Sequence, residues 1–196
     1  MIIEAKYLIL FSDEVPVLLA GGEYSGGVMQ VFDLLSDKKC APLAQYPSNV
    51  TGSAAGVIGD KVLICGGRPQ TILARPFLEY PGGKNNRRVL TYAASECFIH
   101  DPSTNSWSQH ANLNAARYYH ASINVKDGVW FTGGLGWRGT TGWKFGLSTN
   151  LFEPLTSTEI VYSNGSVVRG PDMPYYKYRH CMVDLLDGRI MFIGGT

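Results

Sequence analysis

The chain is short of charge, short of histidine and free of any long apolar run. Asp, Glu, Lys and Arg make up only 17% of its 196 residues and nearly cancel to a net +1, so no global field draws it to nucleic acid or to an anionic membrane. No segment approaches the roughly 20 consecutive apolar residues that a membrane-crossing helix needs. The apolar patch at 7–11 is preceded by Glu4 and followed by Ser12, Asp13 and Glu14, which makes a poor secretory leader and a plausible strand. Gly-x-Ser-x-Gly, His-Glu-x-x-His, Walker-type and Gly-x-Gly-x-x-Gly motifs are all missing. The four cysteines, Cys40, Cys65, Cys97 and Cys181, show no Cys-x-x-Cys spacing. Three of them fall within predicted strands and are read as small buried hydrophobes, in preference to metal ligands or disulfide partners.

What is present in quantity is glycine, 23 residues, together with 45% hydrophobic and 12% aromatic residues, the composition of a turn-rich globular β protein. The most informative stretch is Glu96 to Gly134. It reads as a strand over 96–100, a turn cluster at Asp101 to Asn105, a strand opened by Trp107, an Arg-x-x-His connection, and two further strands around Lys126-Asp127-Gly128.

The same pattern recurs along the chain. Apolar runs end on Gly21-Gly22, Gly66-Gly67, Gly133-Gly134 and Gly194-Gly195, each with a turn signal six or seven residues before the first glycine. An aromatic residue or histidine follows the first three pairs at variable distance, then a turn and an outer segment. Six residues separate His100 from Trp107, and six separate Tyr162 from Arg169. Arg117-x-x-His120 opens the third unit, and Lys177-Tyr178-Arg179-His180 the fourth.

These residues resemble the kelch repeat, in which a double glycine follows the second strand and an aromatic and a tryptophan follow six residues apart. The likeness covers most of the chain, with units at about 5–49, 50–116, 117–176 and an incomplete 177–196. The first unit departs from the pattern, having neither the tryptophan nor Arg-x-x-His. The resemblance implies an all-β, kelch-type β-propeller of four-stranded antiparallel blades, about three complete and part of a fourth. Closed propellers have about four to eight blades, so the chain is expected to be a fragment of a longer propeller, with self-association through its open edges as the alternative.

Two insertions separate second from third strands, and both should emerge on one face. The first, about 68–92, carries Arg68, Arg75, Lys84, Arg87 and Arg88 against one acid, Glu79, with Phe77, Tyr80 and Tyr92 interleaved. The second, 135–158, carries Trp137, Arg138, Trp143, Lys144, Phe145 and Phe152 against Glu153. Arg68, Arg75, Arg87, Arg88, Trp137, Arg138, Trp143 and Lys144 are the expected contacts for a protein or peptide partner, an acidic or phosphorylated one, because Arg forks suit carboxylate and phosphate. The alternative is a pair of solvated, disordered loops. His100, His120 and His180, with Arg117 and the turn carboxylates, are read as structural, and no catalytic residue, metal or cofactor is assigned.

Kelch relatives commonly serve as ubiquitin-ligase substrate adaptors or cytoskeletal scaffolds, although the separate BTB domain of the adaptors is absent from this sequence. Others are enzymes, such as galactose oxidase or sugar isomerases. The Tyr and His copper ligands and Tyr-Cys crosslink of galactose oxidase cannot be placed here. A cytoplasmic location is the expectation; two sequons, Asn49-Val50-Thr51 and Asn164-Gly165-Ser166, point instead to an extracellular adhesive repeat.

Overall fold

The computed structural model describes residues 8–9, 17–20, 29–32, 43–69, 93–140 and 150–196. Strands β1 (Leu8–Ile9), β2 (Val17–Ala20) and β3 (Met29–Phe32) form one antiparallel sheet in that order. Gly21-Gly22 lies outside the described residues. Residues 43–44, the described part of the outer segment that follows Phe32-Asp33 in the first unit, are not in a strand. Ala44 instead docks on the next unit, where its amide donates to Asn105 Oδ1 at 2.9 Å and its carbonyl accepts from Trp107 Nε1 at 3.0 Å. The tryptophan spaced from His100 thus ties one unit to its neighbour.

The next elements are β4 (Val50–Thr51), β5 (Ala54–Ile58), β6 (Lys61–Cys65), β7 (Arg68–Pro69), β8 (Glu96–Asp101) and β9 (Ser106–Asn112), of which β5-β6-β8-β9 make a four-stranded antiparallel sheet. A second such sheet, β10-β11-β14-β15, comprises β10 (Ala121–Val125), β11 (Gly128–Thr132), β14 (Thr158–Tyr162) and β15 (Val167–Arg169). Between its middle strands β12 (Leu135–Thr140) and β13 (Asn150–Pro154) pair as a hairpin, so the ends of the second insertion are regular structure rather than loop. The last pair is β16 (His180–Asp184) with β17 (Ile190–Gly194).

Period-two alternation explains how the sheets stack. In β6, Leu63 and Cys65 face the third unit and pack with Val129, Phe131 and Val161, while Val62 and Ile64 lie on the opposite face, clustered with Phe98 and Trp107 of the same sheet, with Val50, and with Tyr46 of the first unit. In β11 the same logic turns Phe131 back toward β6 and Trp130 and Thr132 forward, to Phe192 and His180. The middle strands of each complete sheet are therefore largely buried on both faces, which accounts for their near-continuous apolar runs. The innermost strands β5, β10 and β16 follow one another, with β10 in contact with both others. Val183, Met191 and Ile193 are exposed on the outward face of the last pair. Among the described residues the sheets do not close into a ring.

The register corrects one repeat assignment. Val62 pairs with His100, and Val129, its equivalent in the next sheet, pairs with Val161, so Val161 rather than Tyr162 holds the place of His100. Counting six residues to an outer strand misplaces the position because the β14–β15 turn is one residue shorter between paired residues (Val161 with Val167) than the β8–β9 turn (His100 with Trp107).

The cysteine expectation also fails. Cys65 and Cys97, directly opposite in the ladder, form a disulfide, and Cys181 is an exposed free thiol; Cys40 lies outside the described residues. In the neighbouring sheet the same two places hold Thr132 and Thr158. Strand propensity placed Cys65 and Cys97 in strands but carried no register, and register alone brings the two sulfurs together.

Candidate interaction face

The double glycines organise the end of the sheets from which both insertions leave. In each described pair both residues have positive φ: Gly66 and Gly67 at 66° and 105°, Gly133 and Gly134 at 60° and 92°, Gly194 and Gly195 at 67° and 84°. Gly66 requires glycine for a second reason, because a Cβ there would lie 2.5 Å from the Arg117 carbonyl oxygen and 2.9 Å from the His120 ring. The close approach lets the amide of Gly67 donate to the Arg117 carbonyl at 2.9 Å, and that of Gly134 to the Lys177 carbonyl at 2.8 Å. One backbone bond thus repeats from unit to unit.

A second repeated bond runs beside it. The amide of Tyr119 donates to the Gly52 carbonyl at 2.7 Å, and the amide of Arg179 to the Tyr119 carbonyl at 2.8 Å. All three residues are left-handed, with φ of 67°, 55° and 59°. For Tyr119 and Arg179 that conformation is unfavourable by about 1–2 kcal/mol and is held by the surrounding bonds. It aims each side chain at the preceding unit: the Tyr119 ring covers Gly52, and the Arg179 guanidinium lies 4.5 Å from the Tyr119 ring centroid.

Arg68, two residues beyond Gly66, and Tyr118, bridged to Leu135 at the start of the second insertion, complete this cluster. Burial raises the Tyr118 phenol above its ordinary pKa, with the positive charges of Arg68 and Arg179 opposing that rise and Tyr119 and Tyr178 adding to it. The face therefore gathers two guanidinium groups and two further phenols around the buried Tyr118 ring. Of the expected partner contacts, only Arg68 is placed with its side chain. Trp137 and Arg138 lie in β12, and Arg75, Arg87, Arg88, Trp143 and Lys144 lie outside the described residues.

Arg117 has no surface to offer. Its side chain is fully buried, donating from Nη1 to the carbonyls of Gly133 (2.8 Å) and Ser157 (2.9 Å) and from Nη2 to Glu159 Oε1 at 2.7 Å. Lys177 makes the corresponding contact, Nζ to the Gly194 carbonyl at 3.3 Å. Glu159 in turn accepts the amides of Asn114 at 2.6 Å and Ala115 at 2.9 Å. Burial would raise this carboxyl, but the Ala115 amide, Arg117 and the Asn114 amide together hold it below the usual carboxylate range. Sequence reasoning missed Glu159 because nothing in its local pattern marks a strand glutamate as buried.

The three repeat histidines differ in what they contact. His100 pairs with Asn105 Oδ1 at 3.1 Å and stacks against Trp107; His180 Nε2 meets Thr132 Oγ1 at 2.8 Å. His120 takes the same seat over Gly66 that His180 takes over Gly133, yet Cys65 stands where Thr132 does. Among the described residues neither His120 ring nitrogen has a partner in hydrogen-bonding geometry, although the Cys65 backbone lies close. Burial, followed by Arg117 and His180, drives its pKa well below the ordinary value.

The opposite end of the sheets carries the tight turns. Gly59-Asp60 and Lys126-Asp127 are two-residue loops; of the Lys126-Asp127-Gly128 turn signal, Gly128 already pairs with Val125. Between them lies an open cleft of about 670 Å³ lined by residues such as Val57, Lys61, Asn124 and Ser163. Lys61 there is engaged with Asp101 at 2.7 Å. Among the described residues no cluster of His, Cys, Asp and Glu has the makings of a metal site.

No protein-family model and no curated protein matches the chain. Among solved structures it is similar to YjhT, with a TM-score of 0.67 and 14% identity, over 92% of this chain and 54% of that one. The chain therefore spans about half the length of YjhT. At this identity the likeness speaks for the fold alone, and with the four-stranded antiparallel sheets it establishes an all-β, propeller-type architecture.

Proposed function

We propose that this chain is a kelch-type propeller module that binds a protein or peptide partner through the face bearing the double glycines and both insertions, and that the partner is acidic or phosphorylated. The observation that carries the reading is the Arg179 guanidinium stacked 4.5 Å over Tyr119, beside Arg68 and Tyr118. Stacking fixes the plane of an Arg fork, and a fixed fork binds a carboxylate or phosphate with less entropy loss than a mobile one. Phenols around it supply rigid contact area of the sort that dominates binding energy at interfaces. The sequence of the insertions, cationic and aromatic with one acid each, extends the same character outward.

The test is binding of the full chain to immobilised peptides of matched length bearing Asp/Glu, phosphoserine, or neutral residues. Acidic or phosphorylated peptides should be retained over neutral ones, with affinity falling at least tenfold in Arg68→Glu combined with Arg179→Glu. Equal retention of all peptides, or unchanged affinity in the double variant, defeats the proposal. Circular dichroism of the variant separates lost binding from lost fold.

A further inference from the structure

The sequon Asn164-Gly165-Ser166 occupies the turn between β14 and β15, and its asparagine is exposed. Three features of that turn bear on modification. Gly165, at φ 81°, sits over the outer strand of the preceding unit, where a Cβ would lie 3.1 Å from the His110 carbonyl, and His110 Nε2 contacts the Tyr162 carbonyl at 3.0 Å. The turn is thereby held at the rim. Asn164 Oδ1 accepts both the amide of Ser166 at 2.9 Å and its hydroxyl at 2.7 Å, so the oxygen makes both bonds and the amide nitrogen takes part in neither. The turn also lies at the end of the sheet opposite the double glycines, since Tyr162 pairs with Gly128 and Thr158 with Thr132.

An independent observation concerns compartment. The Cys65–Cys97 disulfide joins adjacent strands and both residues are fully buried. Disulfides of this structural kind are set where thiols are oxidised, in the secretory pathway and outside the cell, and are rare in a reducing cytosol. Asparagine-linked glycosylation of Asn-x-Ser belongs to the same pathway and requires a surface asparagine.

We infer that the protein matures in an oxidising secretory compartment and carries an N-linked glycan on Asn164. In that step the lipid-diphosphate-linked oligosaccharide donor loses its sugar–phosphate bond, a bond forms between the sugar C1 and Asn164 Nδ2, the nitrogen gives up one proton, and the lipid diphosphate leaves. No electrons change hands. A separate oxidation joins Cys65 and Cys97, two thiols yielding one disulfide, two protons and two electrons to a protein disulfide oxidant. The glycan projects from the turn end of its sheet, leaving the double-glycine face clear, and would add a hydrophilic cover beside Val168, an outer-strand residue 49% exposed.

The experiment is peptide mass spectrometry of the protein isolated from its own cells, alkylated before any reduction and then treated with peptide N-glycosidase in heavy-oxygen water. The expected result is conversion of Asn164 to aspartate with one heavy oxygen incorporated, dependent on the glycosidase, and recovery of Cys65 and Cys97 as a disulfide-linked peptide pair. A Ser166→Ala variant expressed in the same cells should lose the mark at Asn164 and keep the disulfide, which shows that it still folds. Recovery of Asn164 without glycosidase-dependent conversion overturns the inference, as does recovery of Cys65 and Cys97 both alkylated. Neither outcome bears on peptide binding at the opposite face.

Discussion

Arg117 Nη2 and Glu159 Oε1 meet at 2.7 Å with the side chains of both residues almost wholly removed from water. The pair closes the seam where the chain passes from one sheet to the next, because Glu159 also takes the amides of Asn114 and Ala115 while Arg117 takes the carbonyls of Gly133 and Ser157. Removing one partner strands a buried charge, at roughly 3–5 kcal/mol. Arg117→Ala and Glu159→Ala should each lower stability by about that amount in urea unfolding. Lys at position 117 should recover part of it, since Lys177 makes the equivalent carbonyl contact in the last unit. An unchanged midpoint for Glu159→Ala would show that the loop at 114–115 is not held by this carboxylate.

Glycine positions with the same backbone angle should differ sharply in their tolerance of alanine. Gly59 and Gly66 have φ of 62° and 66°, but among the described residues a Cβ at Gly59 meets nothing within 4 Å whereas one at Gly66 meets the Arg117 carbonyl at 2.5 Å. Gly59→Ala then costs about 1–2 kcal/mol for the left-handed conformation alone. Gly66→Ala adds displacement of backbone from the adjacent unit and should cost at least twice as much. Equal costs in thermal unfolding would mean that the inter-unit backbone bond is not rigid.

His180 is held neutral: burial, with Lys177 nearby, lowers its pKa from 6.5 to about 4. Between those values an unfolded histidine takes a proton that the folded one refuses, so stability declines as the pH falls from about 6.5 toward 4, and this group contributes no further decline below. His120 acts in the same direction. The loss attributable to His180 is at most about 3 kcal/mol. The slope of Tm against pH in this window should flatten in His180→Gln, whatever its absolute Tm; an unaltered slope would assign the acid sensitivity elsewhere.

The disulfide and the threonine pair that takes its place in the next sheet invite a swap. Cys65→Ala with Cys97→Ala removes a crosslink spanning 32 residues of sequence, worth about 3–4 kcal/mol by loop entropy. Cys65→Thr with Cys97→Thr should recover roughly 1 kcal/mol of that, because a hydroxyl at position 65 faces His120 as Thr132 faces His180. Tyrosine and tryptophan fluorescence during urea unfolding reads both. If the threonine variant is no more stable than the alanine one, the two seams are not equivalent.

Period-two alternation, turn chemistry and four double glycines determined the class of the fold, because strand, turn and glycine conformation are local properties of a few neighbouring residues. They placed the units and marked Arg117, His120, Trp107 and the glycines as repeat positions, and they located the end of the sheets from which the insertions leave. What they could not supply was register and contact across the chain. Pairing of Cys65 with Cys97, and of Val161 rather than Tyr162 with the place of His100, follows from which residues stand opposite in ladders joining distant segments, and the meeting of Arg117 with Glu159 follows from the packing of the 114–117 connection against β14. The left-handed turn at Tyr119 and Arg179, unfavourable in isolation, exists only because each amide finds a carbonyl in the preceding unit. Local sequence set the strands, and packing between sheets decided which side chains were buried, bonded or left exposed.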